Sequence, residues 1–224
     1  MLATKIPETL AREIEAHDFI CGSDEVGYGS WAGPLVVCAA IVARDWVPPA
    51  LVRDSKQLTP ARRESAFESI VGTVVHHLVA VEVEEIDRRG VGTVIIEAHL
   101  KALLGAIEAH KALGLGGKVL TIVDGSLPIH GATCLPKADA LVPAVSAASI
   151  IAKVTRDRHM KQMDVKYPGY SFASNSGYGT QDHREALDRL GVTPIHRKSY
   201  APIAALTTTD NQPREAWFGL DEDA

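Results

Sequence analysis

Residues 21–42 restrict the possible folds of this chain more than any other stretch of its sequence. They contain two apolar runs, each long enough for a buried strand, and a glycine-rich loop between them. Two adjacent carboxylates, Asp24 and Glu25, stand directly before that loop. Carboxylates beside buried strands are costly unless a cation compensates their charge. The stretch therefore predicts half of a metal site, next to a loop whose backbone N–H groups can approach a phosphate or a sugar.

Strand geometry sets a condition on this site. Successive side chains of a strand point to opposite faces, so Asp24 and Glu25 cannot both project normally into one pocket. They can share an ion only if the chain turns there, and Gly27 and Gly29 permit such a turn. We therefore predict a strand at 19–23 that ends just before the two acids.

The rest of the chain alternates between strand-like and helix-like segments. This order predicts a mixed α/β protein with one central sheet flanked by helices, in which acids at the carboxyl ends of strands define a binding crevice. We place the catalytic domain at 1–206, including a small C-terminal helical part, and predict a flexible acidic tail at 207–224. The predicted strands are 19–23, 35–43, 74–83, 118–123 and 132–135, and the predicted helices are 4–16, 59–71, 94–113, 143–163 and 180–190.

Composition excludes several classes of protein. No apolar run among the 224 residues reaches the roughly 18 residues of a membrane span, and the acid-containing N-terminus does not have the pattern of a secretory signal. Three cysteines predict free structural thiols rather than a disulfide scaffold. We expect a cytoplasmic monomer without membrane contact. The net charge of −5 disfavours general nucleic-acid binding, although it leaves room for a local basic surface.

Two further acids complete the candidate metal site. Asp124 follows the strand at 118–123, and Asp139 follows the strand at 132–135. Oxygen-only ligands suit Mg²⁺ or Mn²⁺, and no His or Cys pair has zinc spacing. Two such ions about 4 Å apart can activate water and stabilise the leaving oxygen in phosphodiester cleavage.

Several short motifs occur in a fixed order along the chain. They are DEVGYGSWAGPLVV at 24–37, DSK at 54–56, IVDG at 122–125, KAD at 137–139, SAASIIAKVTRD at 146–157, YPGY at 167–170, GYGT at 177–180 and HR at 196–197. Each motif is weak alone, but their joint order from about residue 20 to residue 200 is specific. By these motifs the chain resembles type 2 ribonuclease H (ribonuclease HII).

The resemblance implies a ribonuclease H-like fold and an endonuclease that cuts RNA in RNA–DNA hybrids. It also implies cutting on the 5′ side of ribonucleotides embedded in duplex DNA, by two-metal in-line attack of water that leaves 3′-OH and 5′-phosphate ends. The family's catalytic metal ligands fall on Asp24, Glu25, Asp124 and Asp139.

The resemblance also assigns substrate contacts. The loop that reads the ribose 2′-OH through backbone groups falls on Gly27, Tyr28 and Gly29, and the tyrosine that senses the RNA–DNA junction falls on Tyr178. The residues implied near phosphates are Lys56, Ser149, Lys153 and Arg197. Ser149 and Lys153 also share one stripe of the predicted helix at 143–163, together with Ser146 and Arg156.

One departure keeps alternatives open. The family loop is usually Gly-Arg-Gly, and here Tyr28 replaces the arginine. The alternatives are another nuclease of the same fold, such as a junction resolvase, and a weakly active hybrid-binding protein.

Two further expectations concern single features. Asp157 is a competing fourth acid, and we expect it to play a structural role, for example by pairing with Arg156 or Arg158. In the tail, Trp217 and Phe218 give a weak indication of contact with a sliding clamp.

Overall fold

A computed structural model describes residues 6–53 and 58–208 of the chain. Its centre is one mixed sheet of five strands. The strands are β1 (Phe19–Val26), β2 (Leu35–Ala43), β3 (Val75–Val81), β4 (Val119–Asp124) and β5 (Thr133–Leu135). The sheet has the order β3-β2-β1-β4-β5, with antiparallel pairs β3–β2 and β2–β1 and parallel pairs β1–β4 and β4–β5. This arrangement confirms the predicted fold class.

Helices lie on both faces of the sheet, and further helices form the C-terminal part of the described chain. They are α1 (Glu8–Glu15), α2 (Ala50–Arg53), α3 (Pro60–Ile70), α4 (Val83–Arg89), α5 (Val91–Ala112), α6 (Pro143–Lys166), α7 (Phe172–Asn175), α8 (Gln181–Leu190) and α9 (Ala201–Thr208), with a 3₁₀ turn at Ala138–Ala140. In the described part of the chain, no helix is both long enough and apolar enough to cross a bilayer.

The alternation of side chains along β2 explains why two long helices sandwich the sheet. Val36, Cys38 and Ala40 belong to one apolar cluster with residues of α6, whereas Val37 and Ala39 belong to another with residues of α5. A third cluster joins Trp31 and Met160 to α7, α8 and α9, which form the small C-terminal helical part.

Gly22 determines how closely α6 approaches β1. A Cβ atom at this position would lie 2.3 Å from the backbone nitrogen of Val145 and 2.4 Å from the carbonyl carbon of Ala144. Backbone atoms cannot rotate away as the tip of a side chain can. The missing side chain therefore lets the first turns of α6 rest on β1 just before Asp24.

We expect Gly22→Ala to destabilise the protein by about 3 kcal/mol or more, because the new methyl group must push α6 off the sheet. Gly72→Ala is the matched control, since a Cβ atom at Gly72 meets nothing within 4 Å. Denaturant unfolding of both variants measures the difference. Equal midpoints for the two would show that α6 is free to shift.

Some element boundaries differ from the prediction. Strand β1 extends three residues beyond the predicted end, because the antiparallel pairs Asp24–Cys38, Glu25–Val37 and Val26–Val36 continue the ladder with β2. The turn begins only after the acids, so the predicted turn at Asp24 was wrong. Helices α2, α4, α7 and α9 were not predicted. Lys56 and the tail from residue 209 lie outside the described residues, so their proposed roles stay predictions.

Candidate active site

Four acids lie at one edge of the sheet. Asp24 and Glu25 stand near the end of β1, and Asp124 is the last residue of β4, which runs parallel to β1 as its neighbour. Asp139 lies in the 3₁₀ turn that follows β5. Parallel neighbours end at the same edge, which explains why residues a hundred positions apart in sequence become close in space.

Asp24 is the acid most affected by its surroundings. It is 8% exposed, and burial raises its pKa to about 7, with further increases from the charges of Glu25 and Asp124. The Ser149 side chain and the backbone N–H of Glu25, which is 2.8 Å from Asp24 Oδ1, donate hydrogen bonds that partly counteract this rise. Ser149, which was predicted near phosphates, therefore lies beside Asp24, and its contact with a phosphate stays a prediction.

Asp124 is coupled to the other acids in the same way. Partial burial and the charge of Asp139 raise its pKa, and the charge of Glu25 adds to this effect. Backbone N–H groups of the 3₁₀ turn act in the opposite sense, and that of Asp139 is 3.4 Å from Asp124 Oδ1. Asp139 itself is buried. The structure thus brings the predicted acids into one mutually repelling cluster.

This cluster fits a hard divalent cation by its chemistry. All four side chains offer carboxylate oxygens, which Mg²⁺ and Mn²⁺ prefer. The raised pKa values of Asp24 and Asp124 show that neighbouring protein groups leave their charge uncompensated. Within residues 6–53 and 58–208, no three His, Cys, Asp or Glu side chains stand at the spacing of a metal site. The fit therefore rests on the donor atoms and the unbalanced charge.

The fully buried side chain of Arg156 supports the glycine loop that follows β1. Gly27 has φ +89°, and a Cβ atom there would lie 2.3 Å from Arg156 Nε. The backbone N–H of Gly27 donates to the hydroxyl of Tyr178 over 3.2 Å, so the loop is tied to the predicted junction-sensing tyrosine. The guanidinium of Arg156 donates to Pro34 O, Ala32 O, Ser176 O and Ser30 Oγ at 2.7–3.0 Å.

Arg197 has a different role from the predicted phosphate contact. Its side chain is fully buried, and it donates to the carbonyl of Tyr28 over 2.9 Å and to that of Gly33 over 3.0 and 2.9 Å. Tyr200 Oη also donates to the Tyr28 carbonyl. A guanidinium enclosed in this way fixes the loop and cannot reach a phosphate at the surface. The Tyr28 ring, by contrast, is 46% exposed.

A histidine pair fixes the backbone of Tyr178, whose side chain is 37% exposed. Thr193 N–H donates to His196 Nδ1 over 2.9 Å, so the proton of His196 lies on Nε2 and points to His183 Nε2 at 3.0 Å. His183 Nδ1–H can then donate to the Tyr178 carbonyl over 3.0 Å. Burial lowers the pKa of His183 and lowers that of His196 to about 3, so both rings are neutral. This link could not be predicted from the sequence, in which the two histidines are 13 positions apart and resemble separate packing residues.

A cleft of about 160 Å³ opens beside the acids, between Glu25, Asp139, Ser149, Lys153 and Arg63. Lys153 lines this cleft, and its Nζ lies 2.6 Å from Asp157 Oδ1, while its predicted contact with a phosphate stays a prediction. Asp157 is part of the supporting structure, but its predicted partners were wrong. It contacts Lys153, Arg63 and Ser176, whereas Arg158 pairs with Glu64.

Comparison with known proteins identifies the family. Residues 21–203 match the family model described as ribonuclease HII. The chain belongs to the ribonuclease HII family. The chain is 43% identical over 189 residues to the ribonuclease HII of Thermus thermophilus, and the match covers 83% of this chain and 87% of the relative. The family is one of metal-dependent hydrolases, and the chain is an endoribonuclease of the ribonuclease H type that acts on RNA–DNA hybrids.

Solved structures agree with this assignment. The ribonuclease H2 of Pyrococcus horikoshii superimposes with a TM-score of 0.65 at 29% identity, covering 84% of this chain and 96% of that one. The ribonuclease HII in a PCNA complex from Archaeoglobus fulgidus gives 0.65 at 26% identity with the same coverage.

Proposed function

We propose that this ribonuclease HII cuts the RNA strand of hybrids and also cuts on the 5′ side of ribonucleotides embedded in duplex DNA, leaving 3′-OH and 5′-phosphate ends. One observation carries the proposal. The cluster of four acids lies beside a glycine loop that is hydrogen-bonded through Gly27 to the exposed Tyr178. This juxtaposition supports a site that combines phosphodiester hydrolysis with recognition of one sugar.

We propose that Asp24, Glu25, Asp124 and Asp139 hold two ions of Mg²⁺ or Mn²⁺, the first between Asp24 and Asp124. Such ions, when bound, lower the pKa of a bound water and stabilise the leaving oxygen. The protein's part is to keep the carboxylates together despite their repulsion. The backbone N–H of Glu25 and the Ser149 side chain hold Asp24, and backbone N–H groups of the 3₁₀ turn hold Asp124.

Recognition of the substrate is proposed for the backbone of Gly27, Tyr28 and Gly29. The 2′-OH distinguishes RNA from DNA, and backbone N–H and C=O groups can read it whatever the side chain at position 28. Arg197 and Tyr200 both donate to the Tyr28 carbonyl, which holds the loop backbone at this position. The exposed ring of Tyr178 is proposed to stack on the adjoining deoxyribose, while Ser149, Lys153 and Lys56 approach phosphates.

The proposal is tested on duplexes that carry one, four or many ribonucleotides, in Mg²⁺ and in Mn²⁺, with an all-DNA duplex and a four-way DNA junction as controls. We expect cleavage on the 5′ side of a lone ribonucleotide and within long hybrids, with no cleavage of either control. Cleavage of the junction would favour the resolvase alternative. Binding without cleavage of any substrate would favour the hybrid-binding alternative.

Tyr28 gives a separate prediction. Because its ring is exposed while its carbonyl is fixed, Tyr28→Arg adds a cation at the loop without changing the backbone. We expect the slope of log Kd against log salt for a ribonucleotide-containing duplex to steepen by about one. Tyr28→Phe, which adds no charge, is the control. An unchanged slope in Tyr28→Arg would mean that position 28 faces away from phosphates.

The remaining proposals concern the extent of the catalytic domain and the assembly of the protein. We propose that the protein acts as a cytoplasmic monomer and that its catalytic domain ends near 206, where α9 nears its own end at Thr208. The flexible acidic tail and its contact with a sliding clamp stay predictions. The PCNA complex of the Archaeoglobus fulgidus relative shows only that such an assembly exists for that protein.

A further inference from the structure

His99 of α5 contacts the end of β1 from the face of the sheet opposite α6. It is fully buried, with Nε2 3.2 Å from Glu25 Oε2 and Nδ1 2.9 Å from Ser23 Oγ. Ser23 and Glu25 are two residues apart in one strand, so both side chains point toward α5. Asp24 between them points the other way, toward Ser149 of α6. The two adjacent acids are therefore held from opposite faces.

The atoms in this contact have no competing partners. His99 Nε2 and Glu25 Oε2 are both shielded from solvent, and neither has a hydrogen-bond partner in the described part of the chain. Their separation of 3.2 Å is a close contact outside hydrogen-bond geometry, so each is the nearest complementary group that the other has. In one neutral tautomer, Nδ1 accepts from the Ser23 hydroxyl and Nε2 carries the proton on the side of the ring that lies 3.2 Å from Glu25 Oε2. That hydroxyl can turn to Nδ1 or to the Cys38 carbonyl, which is 3.0 Å away.

We propose that His99 is a positioning residue for Glu25, an inference that rests on the proposed function. By holding Oε2, it restricts the rotamers of the Glu25 side chain and leaves the second carboxylate oxygen for a divalent cation. A glutamate that is already oriented loses less conformational freedom when the cation binds. Residues that orient metal ligands in this way commonly change metal affinity or activity 10- to 100-fold when they are replaced.

Helix α5 provides a matched control. His110 is also a buried histidine of this helix, but it packs edge to face on Phe19 at a ring separation of 4.4 Å, and neither of its nitrogens has a hydrogen-bond partner among the described residues. Replacing it removes the same chemical group from the same helix without touching Glu25.

The experiment measures Mn²⁺ affinity by titration calorimetry, together with kcat and KM on an RNA–DNA hybrid. We expect His99→Leu to weaken Mn²⁺ binding about tenfold or more and to lower kcat with little change in KM. His99→Gln places an amide N–H near the position of Nε2, so it should stay within about threefold of wild type. His99→Asn reaches only the position of Nδ1 and should behave like His99→Leu. His110→Leu should leave Mn²⁺ affinity unchanged.

Two results would overturn the inference. The first is wild-type Mn²⁺ affinity in both His99→Leu and His99→Asn. The second is equal weakening in His99→Gln and His99→Asn, which would indicate a packing role only. If His99→Leu does not fold, the comparison between Gln and Asn still decides. Failure of the proposed function would look different, because wild type itself would then neither bind Mn²⁺ nor cut the hybrid.

Discussion

Asp24→Asn is expected to abolish hybrid cleavage while making the metal-free protein more stable. The loss of activity follows because this residue is a proposed ligand of the catalytic ions. Ions in such sites contribute several kcal/mol to transition-state stabilisation, which corresponds to a rate loss of about 10³-fold. The gain in stability follows because an amide of the same shape removes a buried charge that the protein leaves uncompensated.

The pH dependence of this stability gain has a definite sign. The folded pKa of Asp24, about 7, lies above the ordinary value of 3.8, so the folded state binds the proton more tightly than the unfolded state. The wild-type protein therefore loses folding stability as the pH rises from about 4 through 7 and the Asp24 carboxyl ionises. We expect Asp24→Asn to raise Tm by several degrees at pH 8 in a chelating buffer, and the difference to shrink toward pH 4.

Asp45→Asn, at an exposed turn, is the control and should change neither cleavage nor Tm. A cleavage assay on an RNA–DNA hybrid checks the first part of the prediction. Calorimetric melting with and without Mn²⁺ checks the second, because Mn²⁺ should stabilise wild type and leave Asp24→Asn unchanged. Retained cleavage in Asp24→Asn would remove this residue from the metal site. A Tm of Asp24→Asn below that of wild type at pH 8 would mean that the folded protein compensates the charge of Asp24.

The sequence was sufficient for the sheet and for the acid cluster because both follow from local patterns. Apolar runs mark the strands β1, β2 and β4. The acids lie next to the turns at which strands end. The error at β1 also has a local cause. Two adjacent acids are typical of the end of a strand, so β1 was predicted to stop before them. In the structure, pairing with β2 continues the strand to Val26.

The supporting side chains could not be predicted in the same way. Arg197 and Tyr28 are far apart in sequence, so their contact leaves no local pattern. The basic stretch HRK resembles a phosphate-binding site, but in the structure Arg197 is buried and its guanidinium donates to loop carbonyls. His99 carried no signal either, because a histidine within an apolar helical stripe is usually a packing residue. These roles depend on which faces the helices turn toward the sheet, and that is decided by long-range packing.

Arg156 illustrates this dependence and gives the second large effect. Its buried guanidinium donates to three acceptors in the segment 30–34 and to the carbonyl of Ser176 in another segment. It also lies 5.6 Å from the ring centre of Tyr178. Arg156→Met keeps most of the volume but removes every donor. Each buried acceptor left without a partner costs about 1–3 kcal/mol, and water entry recovers part of that loss. We expect a destabilisation of about 4 kcal/mol and a fall in Tm of roughly 12 °C.

Arg158→Met is the matched control, two positions along the same helix. Arg158 is exposed and pairs with Glu64 at the surface, so its loss should cost less than about 1 kcal/mol. Because Arg156 joins the segment that carries the glycine loop to the segment that leads to Tyr178, its removal should also lower cleavage at a lone ribonucleotide more than cleavage of a long hybrid. A long hybrid offers a 2′-OH at every position and tolerates a displaced loop. Equal losses on both substrates, at a temperature where the variant is fully folded, would show that Arg156 supports the acids rather than the recognition loop.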